Sequence, residues 1–249
     1  MYNRQTFEYR EVEADEYEQY EENATSLLSE ISEWYEKPIS EISYTDIIYF
    51  FINKFNIEIV YFDNKSEIFV PNYRFINKEI YGVHSTFTEK VSGFTVTNGE
   101  KYKIFLRKYR KKQRIKFTLL HELVHIYFHC IKSDYLKLFY SISVDSHYPK
   151  EIIPFENEAN VIASILYLND EKLVDYFYND YSFDRIMVIH NISRSALHNR
   201  IKNFLIYTIG LNPSIAFYQY LLPYREEVYG TCAVKKMKLL LRIPKKIFT

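Results

Sequence analysis

Two histidines four residues apart, with a glutamate directly after the first, make His121-Glu122-Leu123-Val124-His125 the part of this chain best suited to chemistry. On a helix, positions i and i+4 share one side, so both imidazoles can grip one zinc ion while Glu122 falls beside the water it activates. A catalytic zinc takes three protein ligands and keeps a fourth position open, so one ligand has to come from elsewhere. A third histidine on the same helix is excluded, because that pattern needs glycine at Phe128 and histidine at Ile131. Glu156-Asn157-Glu158-Ala159-Asn160 offers a carboxylate instead. Glu156 is the expected metal ligand, and Asn160, on the same helical face, is expected to hydrogen-bond and orient a ligand. Glu158, about 200 degrees round the helix, is the fallback ligand.

Such groups act only if the chain holds two helices together. The pattern predicts a metal helix over 113–130 that turns Leu119, Leu120, Leu123, Ile126 and Tyr127 to the core. A second helix over 155–168 carries small Ala159, Ala163 and Ser164, which allow close packing. Upstream, 91–106 reads as a hairpin turning at Asn98-Gly99, and alternation over 57–62 predicts a further strand. Amphipathic helices are expected over 17–36 and 45–55, a strand near 79–83, an irregular stretch over 133–154, and short helices over 170–178 and 184–204. The expected class is α+β: a small, mostly antiparallel sheet packed on a zincin-like HExxH helix and a second Glu-bearing helix, with a helical C-terminal portion. The expected division is an acidic arm (1–16), a zincin-like domain (17–169), a helix-turn-helix-like segment (170–204) and a C-terminal extension (205–249).

Composition narrows the class further. The 249 residues carry 32 basic and 32 acidic side chains, so no net charge argues for a polyanionic partner. Two cysteines, Cys130 and Cys232, are too few for a disulfide framework, and the N-terminus lacks the order of a secretory signal, which points to the cytoplasm. The uncharged run 204–224 is broken by Asn212-Pro213 and reads as two buried elements, not a membrane span. His129, four residues beyond His125, could extend the metal face but reads first as a packing residue at the helix end. The basic cluster from Lys101 to Lys116 reads first as a solvated face, second as an edge where an extended acidic substrate adds as a strand, with Phe94, Thr95 and Val96 as its candidates, and last as a nucleic-acid contact. Residues 187–201 have the outline of a helix-turn-helix with Ser193 as cap and Arg194, Asn199 and Arg200 outward, although packed core helices give the same pattern. Direct DNA contact is the less favoured reading.

Phe117-Thr118-Leu119-Leu120 before the HELVH string, followed by Glu156-Asn157-Glu158-Ala159-Asn160, resembles the paired signature of the ImmA/IrrE metallopeptidases over about 17–204. The resemblance implies His121, His125 and Glu156 as Zn2+ ligands and Glu122 as the catalytic acid/base. It also implies a zinc endopeptidase whose protein substrate is a helix-turn-helix repressor, with cleavage relieving repression. Val124 stands where the family has glycine, and Tyr167-Leu168-Asn169 replaces its Leu-Met-Pro ending. Neither change removes a ligand. Candidates for an oxyanion donor are His147, Tyr127 and Tyr148. The rival reading is a zinc-containing regulator that binds a protein partner or DNA without cutting.

Overall fold

The computed structural model describes residues 12–63, 69–71, 80–82, 91–97, 101–108, 110–130, 138–142, 152–227 and 231–241. Helix α1 (Ala14–Tyr35) buries Tyr17, Tyr20, Ala24, Leu27, Leu28 and Ile31, the three-to-four spacing of one helical face. Trp34, near the end of the helix, is 54% exposed. Helix α2 (Tyr44–Lys54) begins at a capping box in which Ser43 and Asp46 satisfy each other's backbone N–H groups.

The main sheet is small and mixed, with four strands. Strand β1 (Ile57–Phe62) runs parallel to β5 (Tyr102–Arg107), while β4 (Val91–Thr97) is antiparallel to β5 and to β6 (Leu138–Ile142). A separate antiparallel ribbon joins β2 (Phe69–Pro71) and β3 (Ile80–Gly82). Strand β6 falls within the stretch expected to be irregular. The hairpin of β4 and β5 is present, and its Asn98-Gly99 turn lies outside the described residues. Alternation sends Phe94 and Val96 to a small cluster with Phe62 and Phe105, which Val91 joins across a register irregularity before Gly93, and leaves Gly93 and Thr95 for the opposite face. A Cβ built on Gly93 would meet Thr118 of the metal helix at 2.6 Å, so the strand and helix touch at glycine.

That helix, α3 (Lys112–Val124), runs on as a π-helical turn over His125–Cys130. Its start is locally unfavourable, because Lys111 provides no side-chain cap and the first turn contains no acidic residue to meet the helix dipole. Burial compensates: every residue from Thr118 to Val124 is inside, and a fully buried leucine contributes about 1.5–3 kcal/mol. Helix α4 (Ile153–Tyr167) packs against α1 and α3, with Ala159 and Ala163 fully buried.

Helices α5 (Asp170–Tyr178), α6 (Phe183–His190) and α7 (Arg194–Asn203) follow, capped by Asn169, Ser182 and Ser193. Asn191 adopts φ 49°, ψ 44°, the left-handed turn position between α6 and α7. A π-helical turn (Phe204–Thr208), a helical run from Pro213 to Arg225 and a last helix (Thr231–Leu240) complete the described chain. One hydrophobic cluster draws on residues from Tyr17 to Leu240, so the C-terminal helices share the core that holds α3 and α4. Among the described residues, no helix is long and apolar enough to cross a membrane.

Candidate metal centre

Three polar side chains of α3 and its π-helical continuation are interior: His121 is 1% exposed, and Glu122 and His125 are fully buried. Burying such groups without partners is costly, so the fold must bring something to them. It brings Glu156, 2% exposed in the first turn of α4. Glu156 Oε2 lies 3.2 Å from His121 Nε2, Oε1 lies 3.2 Å from His125 Nε2, and the two Nε2 atoms are 3.0 Å apart. A tetrahedral ion with bonds of 2.0–2.1 Å separates its ligand atoms by about 3.3 Å, close to these spacings. Both carboxylate oxygens of Glu156 are buried with no hydrogen-bond partner, so their contacts to the imidazoles are close but lack hydrogen-bond geometry. Converging lone pairs left unsatisfied in a dry interior fit a cation. Among the described residues, these three form the group able to hold one, and Glu158 is outside it.

Electrostatics agree with that fit. Burial raises the Glu156 carboxyl, but adjacent His121 more than offsets this and holds it well below the usual carboxylate range. Burial pulls His121 down, while Glu156 overcomes it and raises the imidazole above its ordinary value. Burial pushes His125 down to about 3, so it stays neutral. Ligation needs neutral imidazoles, so a metal ion competes with protons for His121, whose protonated form Glu156 favours.

Burial raises Glu122 to about 8, opposed by His121 and by a 2.7 Å hydrogen bond that Thr95 Oγ1 donates to its Oε2. Its Oε1 is buried and unpartnered. One oxygen is thus fixed by the sheet, and the other is available for proton transfer near neutral pH.

Several expectations are corrected. Phe94, Thr95 and Val96 cannot be a substrate edge, because β4 is hydrogen-bonded to β5 on one side and β6 on the other. Thr95 instead faces Glu122, while Phe94 and Val96 point into the small second core. Asn160 makes no hydrogen bond to His121, His125 or Glu156 among the described residues; one helical turn displaces it about 6 Å along α4. Glu158 meets His129 at 3.0 Å rather than the metal group. Tyr127 donates its hydroxyl to Glu30 Oε2 at 2.5 Å, which ties it to α1, and His147 and Tyr148 lie outside the described residues. Arg200 is not outward: it is 1% exposed, donates from Nε to the Leu168 carbonyl at 2.8 Å and pairs with Asp170. The roles of Thr95 and His129 escaped the sequence reading. An alternating strand facing the motif and a third histidine at the same spacing were the available signals.

A buried His-His-Glu group on two packed helices, beside a glutamate clamped by the sheet, is the kind of centre found in metallopeptidases. The chain belongs to the family described as the IrrE N-terminal-like domain, Peptidase_M78, whose model matches residues 53–202, more than half of the 249. No curated protein and no solved structure matches the chain.

Proposed function

We propose that the protein is a cytoplasmic, zinc-dependent endopeptidase with a zincin-like centre that cleaves a helix-turn-helix repressor. The observation that carries the hydrolytic reading is the buried Glu122, one oxygen held by Thr95 and the other unpartnered, following His121 in the His121, His125, Glu156 group. Those three residues would hold Zn2+, which supplies a Lewis acid that acidifies water and polarises a carbonyl. Glu122 would take the proton from the attacking water and return it to the leaving amine, so one carboxylate serves both halves of the reaction. The dry walls around it strengthen each electrostatic contact. The repressor substrate rests on the family signature.

The test is Glu122→Gln, assayed against a co-expressed helix-turn-helix repressor. Zinc content should be unchanged and cleavage should fall by at least about 100-fold, the scale of a lost general acid/base. Cleavage that persists in Glu122→Gln sinks the mechanism. Wild-type protein that binds the repressor or DNA and cuts nothing favours the regulator.

A further inference from the structure

The metal reading leaves one interior histidine unused. His129 stands in the π-helical turn with a side chain 2% exposed. Its Nδ1 lies 2.7 Å from His125 Nδ1, and its Nε2 lies 3.0 Å from Glu158 Oε2. Glu158 Oε1 accepts a 2.9 Å hydrogen bond from Asn23 Nδ2 on α1. Phe155 closes edge-on over the His129 ring at 5.1 Å. Asn23, Glu158, His129 and His125 thus form an unbroken line from α1 to the metal group.

Donor and acceptor roles along this line follow from its carboxylate. A carboxylate only accepts, so His129 donates from Nε2. With His129 neutral and protonated there, its lone pair is on Nδ1, and across 2.7 Å His125 is the donor, from its own Nδ1. The lone pair of His125 is therefore on Nε2, the atom 3.0 Å from His121 Nε2 and 3.2 Å from Glu156 Oε1. The opposite tautomer would aim an N–H at the centre and could not ligate. His121 has no such partner: its Nδ1 is buried without a hydrogen bond.

We infer that Glu158, acting through His129, selects the tautomer of His125 that can bind metal, which makes both of them positioning residues of the centre. The inference rests on the metal-centre reading above and assigns its orienting line to residues of α4, the π-helical turn and α1. It also accounts for the partly buried carboxylate–imidazole pair beside the ligands, which the hydrolytic step does not use. Outer hydrogen bonds of this kind typically change metal affinity by about 10–100-fold.

Two measurements test it: zinc affinity of the purified chain by competition with a chromophoric chelator, and nitrogen NMR of the histidine rings, which reports which nitrogen of His125 is protonated. Glu158→Ala should weaken zinc about 10–100-fold and mix the His125 tautomers. Glu158→Gln, which keeps an acceptor oxygen, should recover most of the affinity. His129→Phe should match Glu158→Ala, and the double variant should be no weaker than either single, because both cut one line. A general loss of packing would not be rescued by glutamine. Unchanged zinc affinity in Glu158→Ala and His129→Phe, or a His125 proton on Nε2 in the wild type, overturns the inference. A wild-type chain that takes up no zinc overturns the metal-centre reading itself and this inference with it, a result distinct from unaffected variants.

Discussion

Gly93→Ala tests how the sheet positions Glu122, because the new methyl would sit where α3 rests on β4. Its Cβ would lie 2.6 Å from Thr118 Cγ2, 2.9 Å from the Phe105 carbonyl oxygen and 3.2 Å from Leu106 Cδ2. Carbon atoms pack at about 3.5–4.0 Å, so the Thr118 contact is short by about 1 Å. The Phe105 oxygen belongs to the paired strand β5 and cannot rotate away. Relief therefore comes mainly from lifting α3, and Thr118 is one turn before Glu122. A lift of about 1 Å stretches the Thr95–Glu122 hydrogen bond, now 2.7 Å, beyond the range of an O–H···O bond. Overpacking costs about 1–3 kcal/mol and the lost hydrogen bond about 1 kcal/mol more. In a chain of this size that lowers the melting temperature by roughly 4–16 °C. Misplacing a proton-transfer group by about 1 Å costs on the order of 100-fold in cleavage. Thermal melts, zinc content and cleavage of the repressor should be compared in Gly93→Ala, Thr118→Ser and the double variant. Serine keeps the Thr118 hydroxyl and removes the clashing methyl, so the double variant should recover about 1 kcal/mol relative to additivity, with the Phe105 contact accounting for the remaining defect. A Gly93→Ala protein as stable and active as wild type, or a strictly additive double variant, would refute this account of the interface.

Other perturbations probe the remaining interactions. Thr95→Val leaves both Glu122 oxygens buried without partners, which costs about 1–3 kcal/mol. It also removes one of the contacts opposing the rise in the Glu122 pKa, so the ascending limb of the pH profile of kcat/KM should move to higher pH with zinc content unchanged; a shift to lower pH refutes the assignment. Burial, with Lys172 and Lys116 nearby, pushes His190 down to about 4 from an ordinary 6.5. Its contribution to stability is intact above 6.5 and lost as the pH falls from there toward 4, because the unfolded chain then binds more protons. His190→Gln should accordingly make urea stability fall less steeply with pH below 6.5, and an unaltered slope contradicts the assignment. Arg200→Met strands Asp170 beside a buried position and should cost about 3–5 kcal/mol in denaturant titrations; a loss under about 1 kcal/mol would show that the pair contributes little.

Much of the site was legible in the chain because it obeys short-range rules. The i, i+4 spacing of His121 and His125 fixes their common helical face, and the helix carrying Glu156 announces itself through Pro154 at its start and small residues along its packing side. Local signals likewise reveal the hairpin partners β4 and β5 and the Ser193 cap after the turn at Asn191. Boundaries of these elements depend on neighbours in sequence, so periodicity and capping suffice to read them.

Only the tertiary structure decides what meets across elements. Strand β6 lacks a strong pattern of its own and is defined by its pairing with β4, which in turn makes β4 an interior strand and removes the substrate edge expected there. The parallel pairing of β1 with β5 joins strands far apart in sequence, and no local periodicity encodes such a partner. Arg200 looks solvent-facing on a helical wheel but turns inward because Asp170 and the Leu168 carbonyl wait at the start of α5. Glu156 and Glu158, two residues apart, acquire different partners because α4 lies between α3 and α1: one carboxylate meets the His121–His125 pair, the other bridges His129 and Asn23. Sequence determined which residues can bind a metal and move a proton, since that depends on side-chain chemistry and helical period. Packing decided which of them are held in place, and by what, since a hydrogen bond exists only where the fold brings donor and acceptor within about 3 Å of each other.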